Sequence, residues 1–106
     1  MRTGELIGRG ERRWSWRTWN LLLQIERATD GNDPRQRSGE MTVRALSVAR
    51  GPALEAFARR LWVCYVGHHE TRLEGQDDPR PMPAWVITSA GRRALEEARQ
   101  QGIQIQ

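Results

Sequence analysis

A mainly α domain with a small β-hairpin, its elements in the order α-α-α-β-β-α, is predicted by three features of the sequence. Apolar residues recur at helical spacing in successive stretches separated by turn formers. An aromatic and β-branched run at 62–66 (WVCYV) is answered by a second at 84–87 (AWVI), across a stretch that can only be a loop. A last helix, capped by Thr88 or Ser89, follows the second run.

Residues 1–13 hold three glycines and no apolar period, so they read as a flexible basic arm ahead of a domain over 14–101 and a tail over 102–106. Ser15 is a good N-cap, and Trp14 before it is placed to close on Trp19 as a hydrophobic staple. From there Trp19, Leu22, Leu23 and Ile25 follow helical spacing, and the helix stops near Ala28. Residues 29–39 (TDGNDPRQRSG) contain no aliphatic side chain and are a solvated loop. Thr42 then caps a short helix carrying Val43, Leu46 and Ala49, Gly51 permits a turn, and Pro52 suits the first turn of a third helix. In that helix Leu54, Phe57, Ala58 and Leu61 share the inward face. Helix gives way to strand near Cys64, the hairpin tip is the acidic loop at 74–83, and Thr88 or Ser89 caps a last helix with Leu95 and Ala98 inward.

The chain has 106 residues, the size of one domain, and no apolar run near the roughly 18 residues of a membrane span. The N-terminal residues lack the apolar centre of a secretion signal, so the expected location is cytoplasmic, with no membrane partner. A single cysteine, Cys64, makes neither an internal disulfide nor a cysteine-based zinc site. Cys64, His68, His69 and Glu70 are the one cluster with ligand chemistry, but adjacent histidines on a strand point to opposite faces, and zinc needs three or four converging groups. No catalytic triad can be assembled either, so no metal, cofactor or enzyme activity is expected. All 17 basic side chains are arginine against 13 acids, a net charge of +4 that points to a polyanion. The excess lies in the first half, where Arg2, Arg9, Arg12, Arg13 and Arg17 are offset only by Glu5 and Glu11.

Taken together, GEMTVRALSVARG, the Tyr65-Val66 strand start and WVITSAGRRAL resemble bacterial winged-helix (helix-turn-helix) regulators of the MarR-like or PadR-like kind, from Gly39 to Leu95. The resemblance implies a dimeric DNA-binding protein, a small transcriptional regulator or mobile-element accessory protein. Its third helix would enter the major groove with Arg59 and Arg60, while Arg44, Arg50, Arg12 and Arg13 hold the backbone of double-stranded DNA.

This sequence departs from the pattern at several positions. Arg50 and Cys64 replace an aliphatic residue and a glycine, and Ala53, Glu55 and Ala56 stand where base-reading side chains are usual. The hairpin sets Arg72 and Arg80 against Glu70, Glu74, Asp77 and Asp78. An alternative is therefore a winged-helix protein-protein interaction module, such as a phage- or plasmid-encoded inhibitor of a host protein. Trp14, Trp16 and Trp62 would then form the interface.

Overall fold

The computed structural model describes residues 7–31, 45–71, 78 and 80–105. Roughly half of these residues are helical, and the rest of the regular structure is a three-stranded antiparallel sheet. The elements run α1 (Arg9–Arg12), α2 (Trp16–Thr29), β1 (Leu46–Ser47), α3 (Pro52–Arg59), β2 (Val63–Thr71), β3 (Arg80–Ile87) and α4 (Ser89–Gln100), and the sheet order is β1-β3-β2.

Helix α2 starts where the staple requires. The rings of Trp14 and Trp19 meet at 5.1 Å between centroids, bridging the residue before the N-cap and the fourth helical position. Its inward residues Trp19, Leu22, Leu23, Ile25 and Ala28 are buried. At its end Thr29 Oγ1 donates to Ile25 O at 2.7 Å and accepts from Ile87 N–H at 2.9 Å, which fixes the helix across the sheet.

The return strand is longer than its sequence suggests, because it begins at Arg80 rather than Ala84 and takes in Pro81 and Pro83. Prolines are tolerated in β3 because alternate residues present their backbone groups to opposite neighbours. Pro83 O accepts from Val48 N–H at 3.0 Å, so Pro83 and Pro81 direct their backbone toward the β1 side, leaving the β2 ladder intact. On β2 the pairing shifts between Tyr65 and His68, where Gly67 takes φ 106°. The extra residue returns His68 to the face of Tyr65 and Trp85.

Helix α4 is capped by Thr88, whose hydroxyl accepts from Gly91 N–H at 3.1 Å and donates to Leu61 O at 2.6 Å. A methyl group on Gly91 would lie 2.2 Å from Trp62 O, so only glycine lets α4 approach this turn. Leu95 and Ala98 are buried as expected, and Ile103 and Ile105 of the tail also pack against the core.

Four expectations are corrected. Within the stretch read as an arm, Ile7 is buried in the core and α1 follows it. Leu46 and Ser47 pair with Trp85 and Ala84 as a strand, so they do not belong to a helix begun at Thr42. Thr42 and Val43 themselves lie outside the described residues. Consequently a single helix, α3, stands between β1 and β2, and among the described residues the elements run α-α-β-α-β-β-α.

The fourth correction concerns the end of α3. Leu61 takes φ 59°, and its N–H bonds to Ala58 O while Trp62 N–H bonds to Phe57 O. This left-handed C-cap reverses the chain one turn early. Leu61 is left 72% exposed, and Trp62 takes the core position at 1%.

Candidate nucleic-acid interface

The short helix α1 is held against the end of α3 by one charged pair. Glu11 uses one carboxylate oxygen to accept from Gly8 N–H at 3.1 Å and the other to accept from Arg60 Nε at 3.1 Å. Arg60 also donates to Ala56 O at 2.9 Å, and its guanidinium lies 5.0 Å from the Trp14 ring centroid and 5.7 Å from that of Trp62. Burial pushes the Glu11 carboxyl up, but hydrogen bonds from its own backbone N–H, Arg60 and Gly8, with the Arg60 charge, outweigh it and hold the group below its ordinary 4.5. Arg60 is thereby committed to the fold. It ties α1, α3 and the tryptophan cluster together.

Around this tie the arginines are open. Arg9, Arg12 and Arg13, spaced to share one helical face, are all exposed. Arg17 follows in the first turn of α2, and Arg59 precedes Arg60 in the last turn of α3. None of these five has a carboxylate partner among the described residues.

Elsewhere the arrangement differs. Arg50 holds Glu55 at 3.1 Å, Arg99 reaches Glu96 at 4.0 Å, and Arg92 reaches Asp30 at 2.7 Å and Glu26 at 3.6 Å. The hydrogen bond to Asp30 raises the Arg92 pKa against a smaller desolvation. Arg27, Arg80 and Arg93 are exposed but come from separate elements.

Of the residues expected to meet DNA, Arg12, Arg13 and Arg59 are exposed on α1, its C-cap and the end of α3, two segments that the Arg60–Glu11 bond joins, while Arg50 and Arg60 each hold a glutamate. Arg44 and the hairpin-tip residues Arg72, Glu74 and Asp77 lie outside the described residues. Arg9 and Arg17 join the patch; their signal in the sequence is the charge excess of the first half.

Of the three tryptophans expected at an interface, Trp62 is corrected to a core residue, in ring contact with Trp14, Trp19 and Phe57. Trp14 is half-buried in the same cluster, 5.7 Å from Phe57. Only Trp16 faces outward, 59% exposed, with the Arg17 guanidinium 5.6 Å from its ring centroid. The extended conformation of Ser15 (φ −67°, ψ 161°) sends Trp14 inward and Trp16 outward.

A second cluster occupies the sheet. The Arg50 guanidinium lies 5.1 Å from the Trp85 ring centroid and 5.9 Å from that of Tyr65. The Tyr65 hydroxyl and His68 Nδ1 share a short hydrogen bond. His68 pairs opposite Pro83 and His69 opposite Met82, which puts the two imidazoles on opposite faces.

No protein-family model matches the chain, and no curated protein or solved structure matches it significantly. The likeness to winged-helix regulators is carried by the sequence motifs alone.

Proposed function

We propose that this protein binds double-stranded DNA through its phosphate backbone, using Arg9, Arg12, Arg13, Arg17 and Arg59. The observation that carries this reading is where the unpaired charge lies: Arg9, Arg12, Arg13, Arg17 and Arg59 have no carboxylate partner among the described residues and fall on α1, its C-cap, the first turn of α2 and the last turn of α3, whereas Arg27, Arg80 and Arg93, also without one, are scattered over separate elements and Arg50, Arg60, Arg92 and Arg99 each hold a carboxylate. Arg17 stands in the first turn of α2, where a cation is disfavoured by the helix dipole and an external anion would relieve it. Guanidinium groups bind phosphate oxygens bidentately, and each such pairing releases condensed counterions.

Binding on these terms tolerates sequence. Arg60 is occupied by Glu11, and Ala53, Glu55 and Ala56 on α3 offer little that donates to a base. The reading thus keeps the DNA-binding role implied by the winged-helix resemblance and assigns the contact to α1 and the start of α2. A small regulator or mobile-element accessory protein that grips DNA with little base readout fits this description.

The test is binding to a random-sequence duplex across a salt series. Wild-type affinity should fall steeply with salt. Arg12→Ala/Arg13→Ala should weaken binding and flatten the log–log slope by about 2, near 1 for each phosphate that is no longer neutralised. Arg27→Ala/Arg93→Ala removes the same charge elsewhere and should leave the slope close to wild type. Absence of binding at low salt, or equal weakening in both variants, would sink the proposal.

A further inference from the structure

We propose that Trp16 stacks on an unpaired base, so that the arginine patch prefers DNA with a single-stranded end or gap to an intact duplex; this rests on the DNA-binding reading above. Four of the five tryptophans are accounted for by packing. Trp19, Trp62 and Trp85 are at most 2% exposed, and Trp14 closes the staple and contacts the core. Trp16 alone is mostly in solvent, at 59%, on the first residue of a helix whose start is already set by Ser15 and Trp14. The fold gains little from the largest apolar side chain at this position.

Its neighbours identify what would cover it. Arg12 and Arg13 precede Trp16 and Arg17 follows it, none with a carboxylate partner among the described residues. An aromatic ring with cations on both sides along the chain complements a nucleobase, which carries a phosphate on each side along its strand. Arg17 covers part of the indole at 5.6 Å and leaves the rest accessible.

In an intact duplex the base faces are occupied by one another, and a tryptophan at the backbone meets only sugar and phosphate. An unpaired base presents a free face, and every base has one, so stacking adds affinity without sequence preference. The same indole could anchor a protein partner instead. The unneutralised arginines on both sides favour the nucleic acid.

The experiment compares three labelled DNAs at one salt concentration: a blunt duplex, the same duplex with a single-stranded 3′ extension, and the free single strand. Wild type should bind the extended duplex about tenfold more tightly than the blunt one, the increment of one stacked base. Trp16→Ala should lose this preference while keeping blunt-duplex affinity and the wild-type circular dichroism spectrum, and Trp16→Phe should keep part of it. Tryptophan fluorescence should be quenched on binding the extension in wild type and not in Trp16→Ala. Equal wild-type affinity for blunt and extended DNA, or a preference that survives in Trp16→Ala, overturns the stacking proposal and leaves the backbone-binding reading standing. Binding to none of the three overturns both.

Discussion

Two arginines in this protein lie over a pair of aromatic rings while holding a glutamate at 3.1 Å. Arg60 covers Trp14 and Trp62 and binds Glu11; Arg50 covers Tyr65 and Trp85 and binds Glu55. The side chains of the first pair are 33% and 15% exposed, those of the second 56% and 47%. Glu11 and Arg60 are 49 residues apart, whereas Arg50 and Glu55 are five apart. Like chemistry therefore has unlike consequences. A solvated local pair is already compensated by water and fixes little, while a sheltered pair across the chain leaves a desolvated carboxylate behind when it is broken.

The comparison is tested hardest by removing one ring from each cluster. Trp62→Ala should cost about 3–5 kcal/mol, the usual penalty for deleting a fully buried large aromatic, and a large share of the stability of a small domain. Tyr65→Ala, removing a ring that is 42% exposed, should cost roughly 1 kcal/mol. Urea unfolding midpoints would read both. Equal costs would mean that the sheet cluster is as much a part of the core as the tryptophans are.

The arginines come next. Arg60→Ala should destabilise by about 2–3 kcal/mol, because the guanidinium no longer covers the two indoles and the carboxylate of Glu11 is left unpaired. Arg50→Ala should cost less than about 1 kcal/mol. A double-mutant cycle with Glu11→Gln and Glu55→Gln separates each pair's coupling from packing. Comparable coupling in the two pairs would remove the distinction drawn between them.

The contrast between these arginines explains how much can be read from the sequence. The staple of Trp14 on Trp19, the inward face of α2, the Thr88 cap and the hairpin all depend on residues close in sequence, and their signals are visible there. The strand at Leu46–Ser47 is not, since two residues have no period and acquire strand geometry only from Trp85 and Ala84. Helical spacing sets Leu61 inward and leaves Trp62 ambiguous, because the period continues past a left-handed cap that contains no glycine to announce it. Arg60 looks free for DNA in the sequence because its partner lies 49 residues away. Arg12, Arg13 and Arg59 are recognisable from charge alone, and they stay available because the neighbouring Glu11 and Glu55 are taken by Arg60 and Arg50.

Acid unfolding gives a smaller effect on the same pair. The folded-state pKa of Glu11 lies below its ordinary 4.5, so its ionised form contributes stability above that value. That contribution should disappear as the pH falls below 4.5 and through the lowered pKa of the folded state, where the native carboxylate must finally take up a proton. Arg60→Ala removes two of the interactions that favour the ionised form, so its stability should fall less steeply than that of wild type over this range. Parallel acid slopes would show that Arg60 does not set the Glu11 equilibrium.

The smallest expected change is a gain, and it again sets one cluster against the other. Each contains one backbone position in the left-handed region: Leu61 at φ 59° beside Arg60, and Gly67 at φ 106° between Tyr65 and His68. In that region a side chain's Cβ crowds the backbone, and glycine does not. At Gly67 an added methyl group would meet nothing within 4 Å, so the destabilisation by Gly67→Ala, about 1 kcal/mol, would measure backbone strain alone. Leu61→Gly relieves the corresponding strain and gives up little packing, because the side chain is 72% exposed. It should raise stability by up to about 1 kcal/mol, as glycine does at a helix C-cap. Thermal unfolding of the two variants should move in opposite directions. A destabilised Leu61→Gly would mean that the leucine packs in the folded chain beyond what its exposure indicates, and a gain accompanied by weaker DNA binding would make Leu61 part of the binding surface beside Arg59.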